Sequence, residues 1–264
     1  MRAQRFAAIL SFGCFVLGAL TGLVASDGTR LGWWDYDTGL TILAPAVVLA
    51  LIGSLAGLVW ISSALRRNDS QGWRYGALGL AGSLVVAFIP LNQLRLYLIS
   101  PPIHDISTDV EYPPPFIALL PLRAGATNSP GYDGMKLIEY GGRKTHVAAA
   151  QKKAYPDIKA FPALLNPQQR ADIDPKKILF WRAFETAKRM SGWNIAAFDE
   201  KTGMIEASAT SQWFGLTSDI AIRVKPAGSI GARLDIRSKS RIGQNDMGMN
   251  AQIVRDYLKA VEGK

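Results

Sequence analysis

Two short stretches hold most of the side chains that could grip a ligand or run a reaction. The denser is DIRSKSRIGQNDMGMN at residues 235–250. It gathers Arg237, Lys239 and Arg241 with Ser238, Ser240, Asp235, Asp246, Asn245 and Asn250 around Gly243 and Gly248. Bases and hydroxyls placed just before a helix suit an anion, because the free backbone N–H groups and the positive dipole end of the helix add to the fixed charge. Arg237, Ser238, Ser240, Arg241, Asp246 and Asn250 are therefore binding candidates. If Val224 pairs with Ala232, the same register sets Arg237 opposite Asp219 and brings in Arg223. The second stretch is HDISTD, where His104, Asp105 and Asp109 have the types needed for acid–base or metal chemistry. Each stretch also has a plainer reading. Asp246 or Asn245 caps a helix, Arg237 pairs with Asp219, the glycines permit a turn, and HDISTD ties a polar turn.

These residues must be held by elements, and residues 174–264 suggest which. Asp174 and Pro175 open a helical pattern carried by Ile178, Trp181, Phe184 and Ala187 and stopped at Gly192. The period then changes to two. WNIAAFD and MIEASATS flank EKTG, and SDIAIRVKP and GARLDIRSKS flank AGSI, two hairpin signals. Ile205, Ala207, Ala209, Ile220, Ile222, Val224, Ala232, Leu234 and Ile236 share one face. Glu206, Ser208, Asp219, Arg223, Arg233, Asp235, Arg237 and Lys239 share the other, expected to be an open charged face. A last helix is predicted over 247–261. The fold class is α+β, an antiparallel four-stranded meander with helices on one face. Upstream, prolines extend residues 100–115, MKLIEY reads as a short strand, and 143–155 reads as a helix. A proline-punctuated linker runs to Asp174.

The first 99 residues have a different composition. Apolar runs at 6–25, 39–65 and 75–99 are long enough to span a bilayer. The domain division is thus a three-helix transmembrane anchor at 1–99 and an α+β domain at 100–264. Residues 6–25 also have the look of a signal peptide, but Leu23 stands three residues before the cut after Ala25, where a small residue is wanted. Arg2 and Arg5 precede the first run, and Arg66, Arg67 and Arg74 stand between the second and third. The first loop has Arg30 against Asp27, Asp35 and Asp37. The excess of bases places the N-terminus and second loop in the cytoplasm and the 100–264 domain outside it, in the cell envelope or periplasm. Trp33, Trp34 and Tyr36 fit an outer aromatic belt, and Trp60 and Trp73 an inner one. Gly18/Gly22, Gly53/Gly57 and Gly79/Ser83 offer close helix contact, within the chain or in a homo-oligomer.

Of 264 residues, 30 are basic and 21 acidic, for a net charge of +9; residues 100–264 supply +6 of it. A basic domain beside a membrane suits anionic lipid or an acidic partner. Nucleic acid is not expected outside the cytoplasm. The single Cys14 excludes a disulfide framework. No zinc spacing, Walker loop or nucleophile elbow occurs, so neither metal nor cofactor is expected.

PPIHDISTD, PPPF, AYPDI, WNI with IEA, SDIAIRV and DIRSKSRIGQNDMGMNA, in that order over about 101–262, resemble the family known as domain of unknown function 1499. The resemblance implies an exported or membrane-associated domain and no reaction, so no catalytic residue is carried over. Ser218-Asp219 stands where the family carries an acidic pair, and Asn245 where it commonly carries Ser. The leading expectation is a membrane-anchored envelope protein whose outer domain binds a protein partner or an anionic lipid head group. The alternative is an enzyme on an envelope substrate, with His104, Asp105 and Asp109 working against Arg237 and Arg241. A third is a scaffold assembled through the helices.

Overall fold

The computed structural model describes residues 2–67, 72–164, 174–228 and 231–263. The chain divides into two compact units. One is Met1–Arg95 with Trp213–Gly215, and the other is Leu96–Gln212 with Leu216–Lys264.

The first unit holds α1 (Arg2–Arg30), α2 (Tyr36–Arg67) and most of α3 (Trp73–Ile99). All three are long and apolar enough to cross a membrane. Their large side chains point outward: Leu55, Val85 and Phe88 are 65%, 60% and 68% exposed. Their small ones face in, an inversion of the soluble pattern that suits lipid as the solvent. Ser11 Oγ donates to the Gly53 carbonyl at 2.7 Å. A Cβ on Gly79 would strike the backbone of Ser11 and Phe12, and one on Gly53 would strike Ser83. The close-contact faces at these positions are thus occupied within one chain. Trp60, expected at an aromatic belt, is instead buried against Gly76, whereas Trp33 and Trp73 are exposed.

The second unit is the expected α+β domain, with a mostly antiparallel sheet. β5 (Trp193–Asp199), β6 (Met204–Thr210), β7 (Thr217–Pro226) and β8 (Gly231–Ser240) form the meander. Two short strands extend it. β1 (Asp105–Ser107) pairs with Arg237–Lys239 of β8, and β4 (Phe161–Leu164) pairs with Gly231–Leu234 of the same edge. The sheet therefore has six strands. Pro162 is tolerated because β4 lies at an edge.

One face carries the apolar core. Ile205, Ile220, Ile222, Val224, Leu234 and Ile236 pack under α5 (Pro175–Arg189), α6 (Met249–Glu262) and Val147 of α4 (Val147–Ala154). The cap of α5 is as read, with Asp174 accepting from Lys176 N–H at 2.9 Å and Pro175 beginning the helix. The helix expected over 143–155 begins only at Val147. Residues Leu137–Tyr140 (β2) and Arg143–His146 (β3) form a separate hairpin. Gly141 and Gly142 both have positive φ there, the two-residue turn that matches strand twist. The proline-punctuated linker expected from about 159 to Asp174 contains β4; residues 165–173 of it and part of the AGSI turn lie outside the described residues.

The other face is not open. Residues 105–133 run across it and bury Glu206, Asp219, Asp235, Arg237 and Lys239. Phe116 and Leu119 from that segment meet Ala221 in a small second core. The β7–β8 register also differs from the expected one by two residues. Val224 lies opposite Leu234, Asp219 opposite Lys239, and Arg237 opposite Ala221. A shift of two keeps every side chain on its face, so the assignment of faces survives while the partners change.

Candidate functional site

The sheet splits the 235–250 candidates. Arg237 and Lys239 point toward residues 105–133, and Ser238 and Ser240 toward α6. On the α6 side, Ser238 Oγ donates to Asn250 Oδ1 at 2.6 Å, and Asn250 Nδ2 donates to Ser240 Oγ at 2.8 Å and to Asp246 Oδ2 at 2.7 Å. Asp246 also accepts from the N–H groups of Gly248 and Asn250, so it serves the start of α6 although Gly248 occupies the cap position. Burial pushes the Asp246 carboxyl upward against those donors, and burial prevails.

On the other side stand three ion groups, each built around a charged side chain of β7 or β8. In the first, Asp105 accepts from Arg237 Nε and Nη2, both at 2.8 Å. Lys239 Nζ donates to Asp133 at 2.7 Å and lies 3.3 Å from Asp105. Arg237 donates further to the carbonyls of Pro130 and Gly131, and its guanidinium lies 4.5 Å from the Phe116 ring and 5.4 Å from the Tyr132 ring. His104 Nε2 faces Asp133 at 3.0 Å, and its Nδ1 faces the Gln244 carbonyl at 3.3 Å. Burial raises the Asp133 carboxyl, but the Lys239 hydrogen bond and charge, with His104, bring it below the ordinary value. Burial carries the Tyr132 hydroxyl well above its usual range, helped by the Asp105 charge.

In the second group Asp219 accepts from Arg241 Nε and Nη2, at 3.0 and 2.8 Å, and from Arg123. Arg123 in turn donates to the Asn128 carbonyl at 2.6 Å. In the third, Asp109 and Asp235 share Arg223, Lys225 and Arg233 at 2.8–3.5 Å. Glu206 works apart from these. Its carboxylate accepts from the N–H groups of Ile117, Ala118 and Leu119 at 2.9, 2.9 and 3.1 Å, and so fastens the covering segment to the sheet.

Of the candidates, then, Asp105 and Arg237 meet, Asp219 and Arg241 meet, and Asp109 and Arg223 meet. Ser238, Ser240, Asp246 and Asn250 form a separate knot, and His104 is joined to Asp133. Arg123, Asn128, Tyr132, Asp133 and Glu206 complete the network and carry no signal in spacing. Only the alternation that put Glu206 on the polar face marked it at all. Among the described residues, no group of three His, Cys, Asp or Glu is arranged to hold a metal. Arg123 of the second group also lines a shallow depression of about 260 Å³, with Leu120 and residues 126–130.

A protein-family model described as "Protein of unknown function (DUF1499)" matches residues 105–261. The match begins at β1 and ends in α6, so it takes in both layers that bury the sheet. Comparison with curated proteins finds no match.

Proposed function

The chain belongs to the DUF1499 family of proteins of unknown function, which hands down no reaction, and we propose that it is a membrane-anchored envelope protein whose outer domain binds an anionic lipid head group or a protein partner at the membrane surface. The observation that carries the reading is how charge is distributed. The bases on and beside the sheet's polar face are paired with carboxylates of the same domain, and in Arg237–Asp105 and Arg123–Asp219 both partners are deeply buried. A buried ion pair supplies rigidity of arrangement more than net stability, so this layer reads as the frame of the domain. The excess charge of residues 100–264 therefore belongs on the outside, where it is free to act on another molecule. Three helices fit to cross a membrane hold the domain where anionic head groups are concentrated. The arginines flanking the helices favour the domain lying outside the cytoplasmic membrane.

Native mass spectrometry of the full chain, released from its own membrane in mild detergent, tests this. The expected spectrum shows an anionic phospholipid or a stoichiometric protein partner retained, and the added mass is lost as ionic strength rises. A bare protein at low ionic strength overturns the reading.

A further inference from the structure

The positive charge of the outer domain is used unevenly. Arg123, Arg223, Lys225, Arg233, Arg237, Lys239 and Arg241 all have a carboxylate partner within the domain. Around β2, β3 and α4 the balance is different. Lys136, Arg143, Lys144, Lys152 and Lys153 face a single acid of that stretch, Glu139. All five are exposed, and among the described residues none of them forms an ion pair; the domain's pairs lie elsewhere. Five bases against one acid give four of the six net charges of residues 100–264.

The same hairpin turns apolar side chains to the outside. Met135 is 79% exposed and Leu137 59%. Strand alternation explains why: Ile138 packs on the core and Tyr140 lies beneath Lys153, so Leu137 must face away. Such residues are costly in water and suited to an interface with an apolar interior and an anionic rim.

The place of the hairpin in the second unit points to what that interface is. The last turn of α3, from Leu96, belongs to this unit. There the Tyr97 carbonyl accepts from Asn245 Nδ2 at 3.0 Å. The neighbouring Gln244 accepts from Lys136 Nζ, at the base of the hairpin, at 3.4 Å. A membrane-spanning α3 delivers the chain into the domain at this entry.

We propose that the β2–β3 hairpin, with α4 beside it, is a membrane-docking surface for anionic phospholipid. Met135 and Leu137 enter the head-group region, and the five bases meet lipid phosphates. This rests on the reading of the domain as one that works at the membrane surface, and it names the surface and the partner.

The test uses the full chain with Cys14→Ser and Met135→Cys, an environment-sensitive fluorophore on the new thiol, in nanodiscs. One set is phosphatidylcholine alone and the other is phosphatidylcholine mixed with phosphatidylglycerol. With phosphatidylglycerol the emission is expected to shift to the blue and quenching by aqueous iodide to fall severalfold; high salt reverses both. A juxtamembrane base contributes about fivefold in affinity for an anionic surface. The triple variant Arg143→Glu/Lys144→Glu/Lys152→Glu, all at exposed positions, is therefore expected to lose on the order of a hundredfold and to show the phosphatidylcholine signal in both discs. Unchanged thermal unfolding of the variant shows that it is folded. Equal quenching of the parent protein in the two lipids, whether high or low, overturns the proposal. A nanodisc leaves both membrane faces accessible, so orientation in the cell does not enter. Loss of docking here with lipid still retained in the native mass spectrum would unseat the hairpin and leave the broader reading standing.

Discussion

Arg237 is 2% exposed and donates twice to Asp105, with further bonds to the carbonyls of Pro130 and Gly131. A charge in that position is stable only while its partners remain, since removing one side leaves the other buried and unpaired. Arg237→Ala should therefore cost about 3–5 kcal/mol, read as a fall in the urea midpoint. Lys144→Ala, an exposed change with no ion pair to break, should cost less than about 0.5 kcal/mol. A smaller loss at Arg237 than at Lys144 would mean that the pair is not part of the frame. Asp133 gives the same network a pH signature. Its folded carboxyl lies below the ordinary 3.8. The stability it contributes is complete above that value and is lost as pH falls through the folded one, because the unfolded chain takes up the proton first. Asp133→Asn should thus be less stable than the parent at neutral pH. The two should converge as the solution is acidified below about 3.8. Urea midpoints measured across pH check it, and a gap that stays constant with pH would assign the loss to packing instead.

At the scale of elements, the sheet was legible wherever alternation ran for seven residues or more. β6, β7 and β8 follow their period-two patterns, β5 does so up to a bulge between Ile195 and Ala197, and α5 follows its cap and its stop. β1 and β4 were not legible, for a physical reason. Each has three or four residues, their neighbours are proline-rich, and they are strands only because β8 offers an edge. The hairpin turn at Gly141-Gly142 was written in the sequence and lost to the helical look of VAAAQKKA that follows. The open charged face was the larger miss. Alternation tells which residues share a face but not what covers it, and the cover is a nearly structureless stretch of chain. Glu206 is what holds that cover. Glu206→Gln keeps the shape but turns an NH2 group toward backbone donors, leaving at least one buried N–H unsatisfied at about 1–3 kcal/mol. The expected result is faster amide exchange confined to Ile117, Ala118 and Leu119. Protection unchanged at those three would show that packing of Phe116 and Leu119 holds the segment by itself. Residue spacing also grouped polar residues that the sheet separates: a strand alternates, so Arg237 and Ser238, adjacent in sequence, lie on opposite sides of a sheet.

For the whole molecule the arginines make a claim that a single experiment can check. Arg2 and Arg5 lie before α1 and Arg66, Arg67 and Arg74 lie between α2 and α3, while the α1–α2 connection is acidic. Short loops rich in Lys and Arg stay in the cytoplasm because moving those charges across the membrane is unfavourable. An odd number of spans then carries the domain after α3 to the opposite side from the N-terminus. Two positions report the outcome. Tyr112 is 74% exposed in the segment that covers the sheet, and Arg67 is exposed at the end of α2. Each is changed to Cys in a Cys14→Ser background, which removes the only native thiol. In right-side-out membrane vesicles, a membrane-impermeant maleimide should label Tyr112→Cys at once and reach Arg67→Cys only after the vesicles are opened. The reverse pattern would put the basic hairpin against the cytoplasmic leaflet. Labelling of both positions from outside would mean that α3 does not span, and the domain would then be tethered by an even number of crossings.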